Sequence, residues 1–188
     1  MEIPKSETTD RIARLQSRLA NEKLDGALIL YPLDMYYFSG TRQNGALWIP
    51  AAGDPLLFIR KSYTRACMES HIADTRPFPP SRQLPDLFGA NVRRIGMTFD
   101  VLPVQYHAFY ANILPGREFA DISLAIRELR SIKSPWEQHI LRDNGRRLSE
   151  VIAQIPSFFV PGMREIDLAA ELEYRLRRAG SEVRISTR

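Results

Sequence analysis

Ile132-Lys133-Ser134-Pro135-Trp136-Glu137 is a junction between two regions of different character. Ahead of it, short apolar runs alternate with amphipathic helical patterns. After it come two helical patterns and little else. The six residues carry their own start signal. Ser134 can accept from a free backbone N–H, Pro135 suits the first helical position, and Glu137, three residues after Ser134, can reach back to close a capping box. A helix therefore begins abruptly here, and the chain is expected to divide into residues 1–131 and 132–188.

Working back from the junction, Ile12, Leu15, Leu19 and Leu24 recur at helical spacing behind the caps offered by Thr8-Thr9-Asp10. Asp25-Gly26 is expected to break that helix. Ala27-Leu28-Ile29-Leu30-Tyr31 is a continuous apolar run, as in a strand covered on both faces. Residues 32–40 read as a turn-rich aromatic loop. Ala46-Leu47-Trp48-Ile49-Pro50 and Pro55-Leu56-Leu57-Phe58-Ile59 flank an Ala52-Gly53-Asp54 turn, which predicts a hairpin. Residues 62–71 read as helix, residues 74–78 as a short edge strand, and Leu84, Leu87 and Phe88 as a short helix. Residues 94–99 and 118–122 are further strands, with a helix between them over residues 103–114. Ser123 is expected to cap a helix running towards Arg130. Strands alternating with helices predict an α/β layer, and the hairpin makes its sheet mixed, with helices flanking it. No internal repeat or low-complexity tract interrupts this order.

Past the junction, Ile140, Leu141, Leu148, Val151, Ile152 and Ile155 put an apolar stripe on one long helix that Pro156 is expected to end. Gly145 inside it costs roughly 1 kcal/mol against Ala, which suggests close packing or a bend. Leu168, Leu172 and Leu176 mark a second helix, stopped at Gly180 and braced by Glu171–Arg175 and Glu173–Arg177 pairs. Val183 and Ile185 then alternate with polar neighbours, like the first residues of a strand.

Composition narrows the function. The 188 residues are 44% hydrophobic and 26% charged, with 26 basic and 22 acidic side chains leaving +4. The pI is near 9.4, yet the arginines are interspersed with acids, as in Arg11, Arg14, Arg18 and Glu22. A solvated surface explains that pattern better than a nucleic-acid interface, which would gather basic residues and aromatics on one face. The single cysteine, Cys67, cannot form an intrachain disulfide. No apolar run approaches the roughly 18 residues of a spanning helix, and the polar first ten residues are unlike a secretory signal. A cytoplasmic protein without membrane or nucleic-acid partners is the expectation.

Three motifs carry a resemblance. Leu129-Arg130-Ser131-Ile132-Lys133-Ser134-Pro135-Trp136-Glu137 resembles the R-x-I-K-S-x-x-E signature of the Xaa-Pro aminopeptidase, prolidase and creatinase family. Pro161-Gly162-Met163-Arg164-Glu165-Ile166-Asp167-Leu168-Ala169 is similar to the family's P-G-M-[TS]-E-x-[DE]-L-A, with Arg164 replacing Thr or Ser. Asp34-Met35-Tyr36-Tyr37-Phe38-Ser39-Gly40 resembles N-x-x-Y-L-T-G, with Phe38-Ser39 for Leu-Thr. The three occur in the family's order and cover nearly the whole chain from about Arg11.

The resemblance implies a creatinase/prolidase-like N-terminal α/β domain followed by the first helices of an incomplete pita-bread catalytic domain. In the family that domain holds two divalent ions (Mn, Co or Zn) between two Asp, one His and two Glu supplied by the sheet beyond the second helix. This chain carries no such set: His71, His107 and His139 lie far apart and lack H-x-x-H or H-E-x-x-H spacing. The chain alone is therefore expected to be inactive, with no catalytic and no metal-binding residues of its own. Its parent would be a metal-dependent peptidase cleaving before proline, reaching its peptide substrate through the catalytic domain. The N-terminal domain would shape the active-site mouth and mediate a homodimer. The loop over residues 34–43 would supply Tyr36, Tyr37 and Arg42 to a peptide, Arg42 gripping a carboxylate in bidentate fashion. Against that stands plain packing of Tyr36 and Phe38 under the loop with Arg42 solvated, and Trp136 has an equally plain role as an inter-domain packing anchor. The alternative function is a stand-alone, non-enzymatic interaction module of the same fold.

Overall fold

The computed structural model describes residues 2–89 and 91–181. Val183 and Ile185, where a strand was expected to begin, lie outside the described residues. The chain divides into two compact units, Met1–Ile132 and Lys133–Arg188.

The first unit is built on a six-stranded mixed sheet. Its strands are β1 (Gly26–Ile29), β2 (Gly45–Pro50), β3 (Leu56–Ile59), β4 (Asp74–Pro77), β5 (Arg94–Met97) and β6 (Glu118–Asp121). They lie side by side in the order β4-β3-β2-β1-β5-β6. β1–β2 and β2–β3 are antiparallel, while β3–β4, β1–β5 and β5–β6 are parallel. The expected hairpin is therefore present, with Leu47 opposite Leu57 and Ala46 opposite Phe58.

Alternation along the strands splits the core between the two faces of the sheet. Ala27, Ile29, Leu47, Ile49, Leu57 and Ile59 look one way, into a core shared with α1 (Lys5–Asn21), α2 (Pro32–Ser39) and α6 (Ser123–Ser131). Leu28, Ala46, Trp48, Ile95 and Met97 look the other way, towards Leu84 of α4 (Leu84–Leu87) and Tyr110 of α5 (Val104–Ile113). All four residues of β1 are buried, as a central strand with helices on both faces requires. The remaining helix of this unit, α3 (Tyr63–Glu69), adds Ala66 to the first core.

Several boundaries differ from the sequence reading, each for a local reason. α1 starts at Lys5, with Pro4 in the cap position and no side-chain cap. Thr8, read as a cap, instead donates its hydroxyl to Lys5 O at 3.0 Å from inside the first turn. The helix ends before Asp25-Gly26, at a turn where Lys23 takes φ 57°. Ser123 is the first helical residue of α6 and not its cap; its hydroxyl donates to the Asp121 carboxylate.

The second unit contains α7 (Pro135–Ile152), the single turn α8 (Ile155–Phe158) and α9 (Glu165–Arg178). The capping box at its start is complete: Glu137 N donates to Ser134 Oγ at 3.1 Å, and Ser134 N to Glu137 Oε2 at 2.9 Å. α7 stops at Ile152, before Pro156, which lies in the first turn of α8. A Cβ at Gly145 would meet nothing within 4 Å, so close packing does not explain that glycine. α9 closes on Gly180 at φ 101°, with Ser181 N bonded to Leu176 O and Gly180 N to Arg177 O. That pair of bonds is a Schellman motif.

Candidate functional site

The segment after β1 is a helix, α2, and not the expected loop. Pro32 stands in its first turn, where no N–H is missed, and Gly40 ends it at φ 83°. Apolar residues surround this helix on most sides, so it shows no one-sided stripe that a periodicity reading could find. Met35, Tyr37 and Phe38 are buried, while Tyr36 is half-buried.

Adjacent helical residues point about 100° apart, and this separates the two expected tyrosines. Tyr37 turns inward: its hydroxyl donates to Leu129 O at 3.3 Å, and the Arg11 guanidinium lies 4.2 Å from its ring centroid. Arg11 also donates to Tyr37 O at 2.9 Å and pairs with Glu7. Tyr37 is thus committed to the core, so it cannot reach a peptide as expected from the motif. Tyr36 and Arg42 are brought together instead, with the Arg42 guanidinium 4.9 Å from the Tyr36 ring centroid.

The backbone that presents Arg42 is held on both sides. Ser39 Oγ donates to Met35 O at 2.6 Å and accepts from Thr41 N at 3.2 Å. Thr41 Oγ1 donates to Glu69 Oε2 at 2.7 Å, and Gln43 Nε2 reaches the same oxygen at 3.3 Å. Arg65 pairs with the other oxygen of Glu69 at 2.6 Å. The Thr41 hydroxyl, followed by Arg65 and Gln43, holds the Glu69 carboxyl below its usual range. Glu69 could not be linked to this segment from sequence, because Thr41 and Gln43 lie 28 and 26 residues from it. Arg42 itself is exposed and pairs with no carboxylate among the described residues, so it is available to an anionic group. The arrangement sets an exposed guanidinium beside an aromatic face at the end of α2.

The histidines do not gather. His71 and His139 are exposed, and His107 is sandwiched edge-on between Phe99 and Phe119, at 5.3 and 5.4 Å between ring centroids. Among the described residues no three His, Cys, Asp or Glu side chains form a group that could hold a metal ion. These residues therefore do not fit the pair of ions that the sequence resemblance implies. Nor is any described helix long and apolar enough to cross a membrane.

A family model described as Creatinase/Prolidase N-terminal domain matches residues 11–132. The Xaa-Pro dipeptidase of Pyrococcus furiosus is 25% identical over 179 residues, covering 92% of this chain and 49% of that protein. Among solved structures, an Xaa-Pro dipeptidase from Bacillus anthracis superposes with a TM-score of 0.84 at 21% identity, over 93% of this chain and 50% of that one. Dipeptidase PepE from Mycobacterium ulcerans gives 0.83 at 23% identity, over 97% and 52%. The chain spans about half the length of the curated relatives it matches, and at these identities the structural likeness shows the fold.

Proposed function

The chain belongs to the creatinase/prolidase N-terminal domain family, and we propose that it is the non-catalytic N-terminal portion of an Xaa-Pro-type metallopeptidase. The observation that carries this reading is the partial match: one half of Xaa-Pro dipeptidases is covered, and that half aligns with 92% of this chain. In the parent, a pair of divalent ions would activate water and polarise the carbonyl before proline. The described residues form no ligand set for them, and the role proposed for this chain is to bind and to position. Arg42, backed by the Tyr36 ring and held by the Glu69 network, would receive the carboxylate of a peptide at the active-site mouth. Dimerisation through this domain belongs to the same proposal. The single cysteine fits a reducing compartment such as the cytoplasm.

The coding sequence beyond Arg188 gives the first test: two Asp, one His and two Glu in order support the peptidase, whereas a stop codon there supports a stand-alone interaction module. The second test is kinetic. The 188 residues alone, given Xaa-Pro peptides with Mn or Co, should show no turnover, and metal-dependent turnover would overturn the reading. In the protein carrying the catalytic half, Arg42→Ala should raise KM about tenfold or more with little change in kcat, as expected for a lost charge-assisted contact.

A further inference from the structure

The parallel half of the sheet ends in a recess that the peptidase reading does not use. From β1 the chain passes into α2 on one face of the sheet, and from the neighbouring β5 into α5 on the opposite face. Parallel neighbours whose connections leave to opposite faces open a crevice at their carboxyl ends, the position where open α/β sheets hold small ligands. A cavity of about 190 Å³ lies there, between the start of α2, the turn after β5 and the first two turns of α6. It sits at the opposite end of α2 from Arg42, one eight-residue helix away, or about 12 Å.

Thr98 argues that the cavity is a site and not a packing fault. It lines the recess, is 1% exposed, and its hydroxyl has no hydrogen-bond partner. Valine would fill the same volume without an unpaired polar atom, so the hydroxyl calls for a partner that the chain does not provide. Around it the walls carry both signs of charge. Arg130 pairs with Asp34 at 2.9 Å, and Arg127 with Asp100 at 3.2 Å. Burial pushes the Asp34 carboxyl up in spite of Arg130. α2 begins at the recess without a side-chain cap, which leaves its positive end facing it, whereas the first N–H of α6 is already held by the Asp121 carboxylate at 3.0 Å. Leu33, Val101 and Ile126 add an apolar patch.

We propose that this recess binds a small zwitterion bearing a carboxylate and an ammonium close together beside a short apolar group, of which a free α-amino acid is the simplest example. The carboxylate is received by Arg127 and the start of α2, the ammonium by Asp100 and Asp34, and the Thr98 hydroxyl bonds to whichever group lies over it. An anion alone would meet two aspartates, and a cation alone two arginines, whereas a zwitterion can exchange one charge with each member of the exposed Arg127–Asp100 pair. The volume is below the roughly 300–1,000 Å³ of sites for drug-sized ligands and suits a small molecule. The inference rests on the first unit alone and is independent of the proposed peptidase role.

Titration of the full 188-residue chain with L-leucine, followed by amide and methyl NMR, tests it. Saturable shifts at Thr98, Val101 and Ile126 are expected, with L-leucine methyl ester and N-acetyl-L-leucine each binding at least about tenfold more weakly. Thr98→Val should weaken L-leucine binding without lowering Tm, because the hydroxyl is already unpaired. Arg127→Gln, at a side chain 63% exposed, removes the carboxylate partner without threatening the fold and should weaken binding as well. Absence of saturation up to about 10 mM, shifts confined to other surfaces, equal binding of the two blocked forms, or unchanged affinity in both variants would overturn the proposal.

Discussion

At Gly45 a Cβ would fall on the backbone carbonyl of Phe58 across the β2–β3 ladder, and backbone cannot step aside as a side chain can. Gly45→Ala is therefore expected to cost more than about 2 kcal/mol through overpacking, seen as a lower urea midpoint. Gly145 lies inside α7 with nothing within 4 Å of the same atom. Gly145→Ala should stabilise by about 0.5–1 kcal/mol, largely by narrowing the unfolded ensemble. Both glycines were visible in the sequence, but only the surroundings give the two substitutions opposite signs. Titration makes a similar contrast. Arg94 N and Arg93 N donate to the Asp25 carboxylate at 2.8 and 2.6 Å and hold its carboxyl below the usual range. The unfolded chain then takes up the proton first as pH falls. Stability from Asp25 is complete above the ordinary carboxylate pKa and is lost as pH drops through the folded-state value. Asp34 runs the other way, because its carboxyl is pushed up by burial: its cost to folding appears as pH rises past the ordinary carboxylate value. In urea titrations at pH 7 and pH 3, Asp25→Asn should lose less stability on acidification than the parent chain. Equal losses would rule out the backbone bonds as the cause.

Side-chain capping made the start of α7 legible, although α3 and α5 begin without it and were still placed within one residue by their apolar patterns. Ser134, Pro135 and Glu137 announced α7, and both bonds of the box are present. Ser134→Ala should cost about 1 kcal/mol, measured as a loss of helical circular dichroism in thermal melts. A change below the resolution of the melt would mean that the start of α7 is fixed by something other than its cap. α1, α2 and α6 begin without a side-chain cap, and these are the helices whose starts, or whose existence, the sequence reading misplaced. For α2 the cause is physical. A helix apolar on most sides, opened by proline and ended by glycine, carries the same local signals as a loop. The orientation of Tyr37 was lost with it, since the direction of a side chain cannot be assigned before the helical phase is known.

Across the whole molecule, the mixed sheet could be anticipated from the hairpin, but the strand order could not. Short apolar runs such as Ala27-Leu28-Ile29 contain no record of their partner, and β1 meets β5 in parallel across more than sixty intervening residues. The recess at the ends of β1, β5 and β6 is a product of that pairing, so Thr98, Asp100 and Arg127 could not be seen as neighbours beforehand. Both apolar cores lie entirely within Met1–Ile132. In Lys133–Arg188, Val151 and Leu176 are the buried apolar side chains among the described residues, while Leu141, Leu148, Ile152, Val160 and Ile166 are 45–66% exposed. Hydrophobic burial supplies most of the driving force for folding, so the two units should differ sharply in local stability. Hydrogen exchange should show strong protection in β1, β2 and β5 and weak protection throughout α7 and α9. A fragment of residues 1–132 should retain the main cooperative unfolding transition with Tm close to that of the full chain. A fragment that lost this transition would show that the sheet depends on residues past the junction, and the two-core account of its stability would then fail.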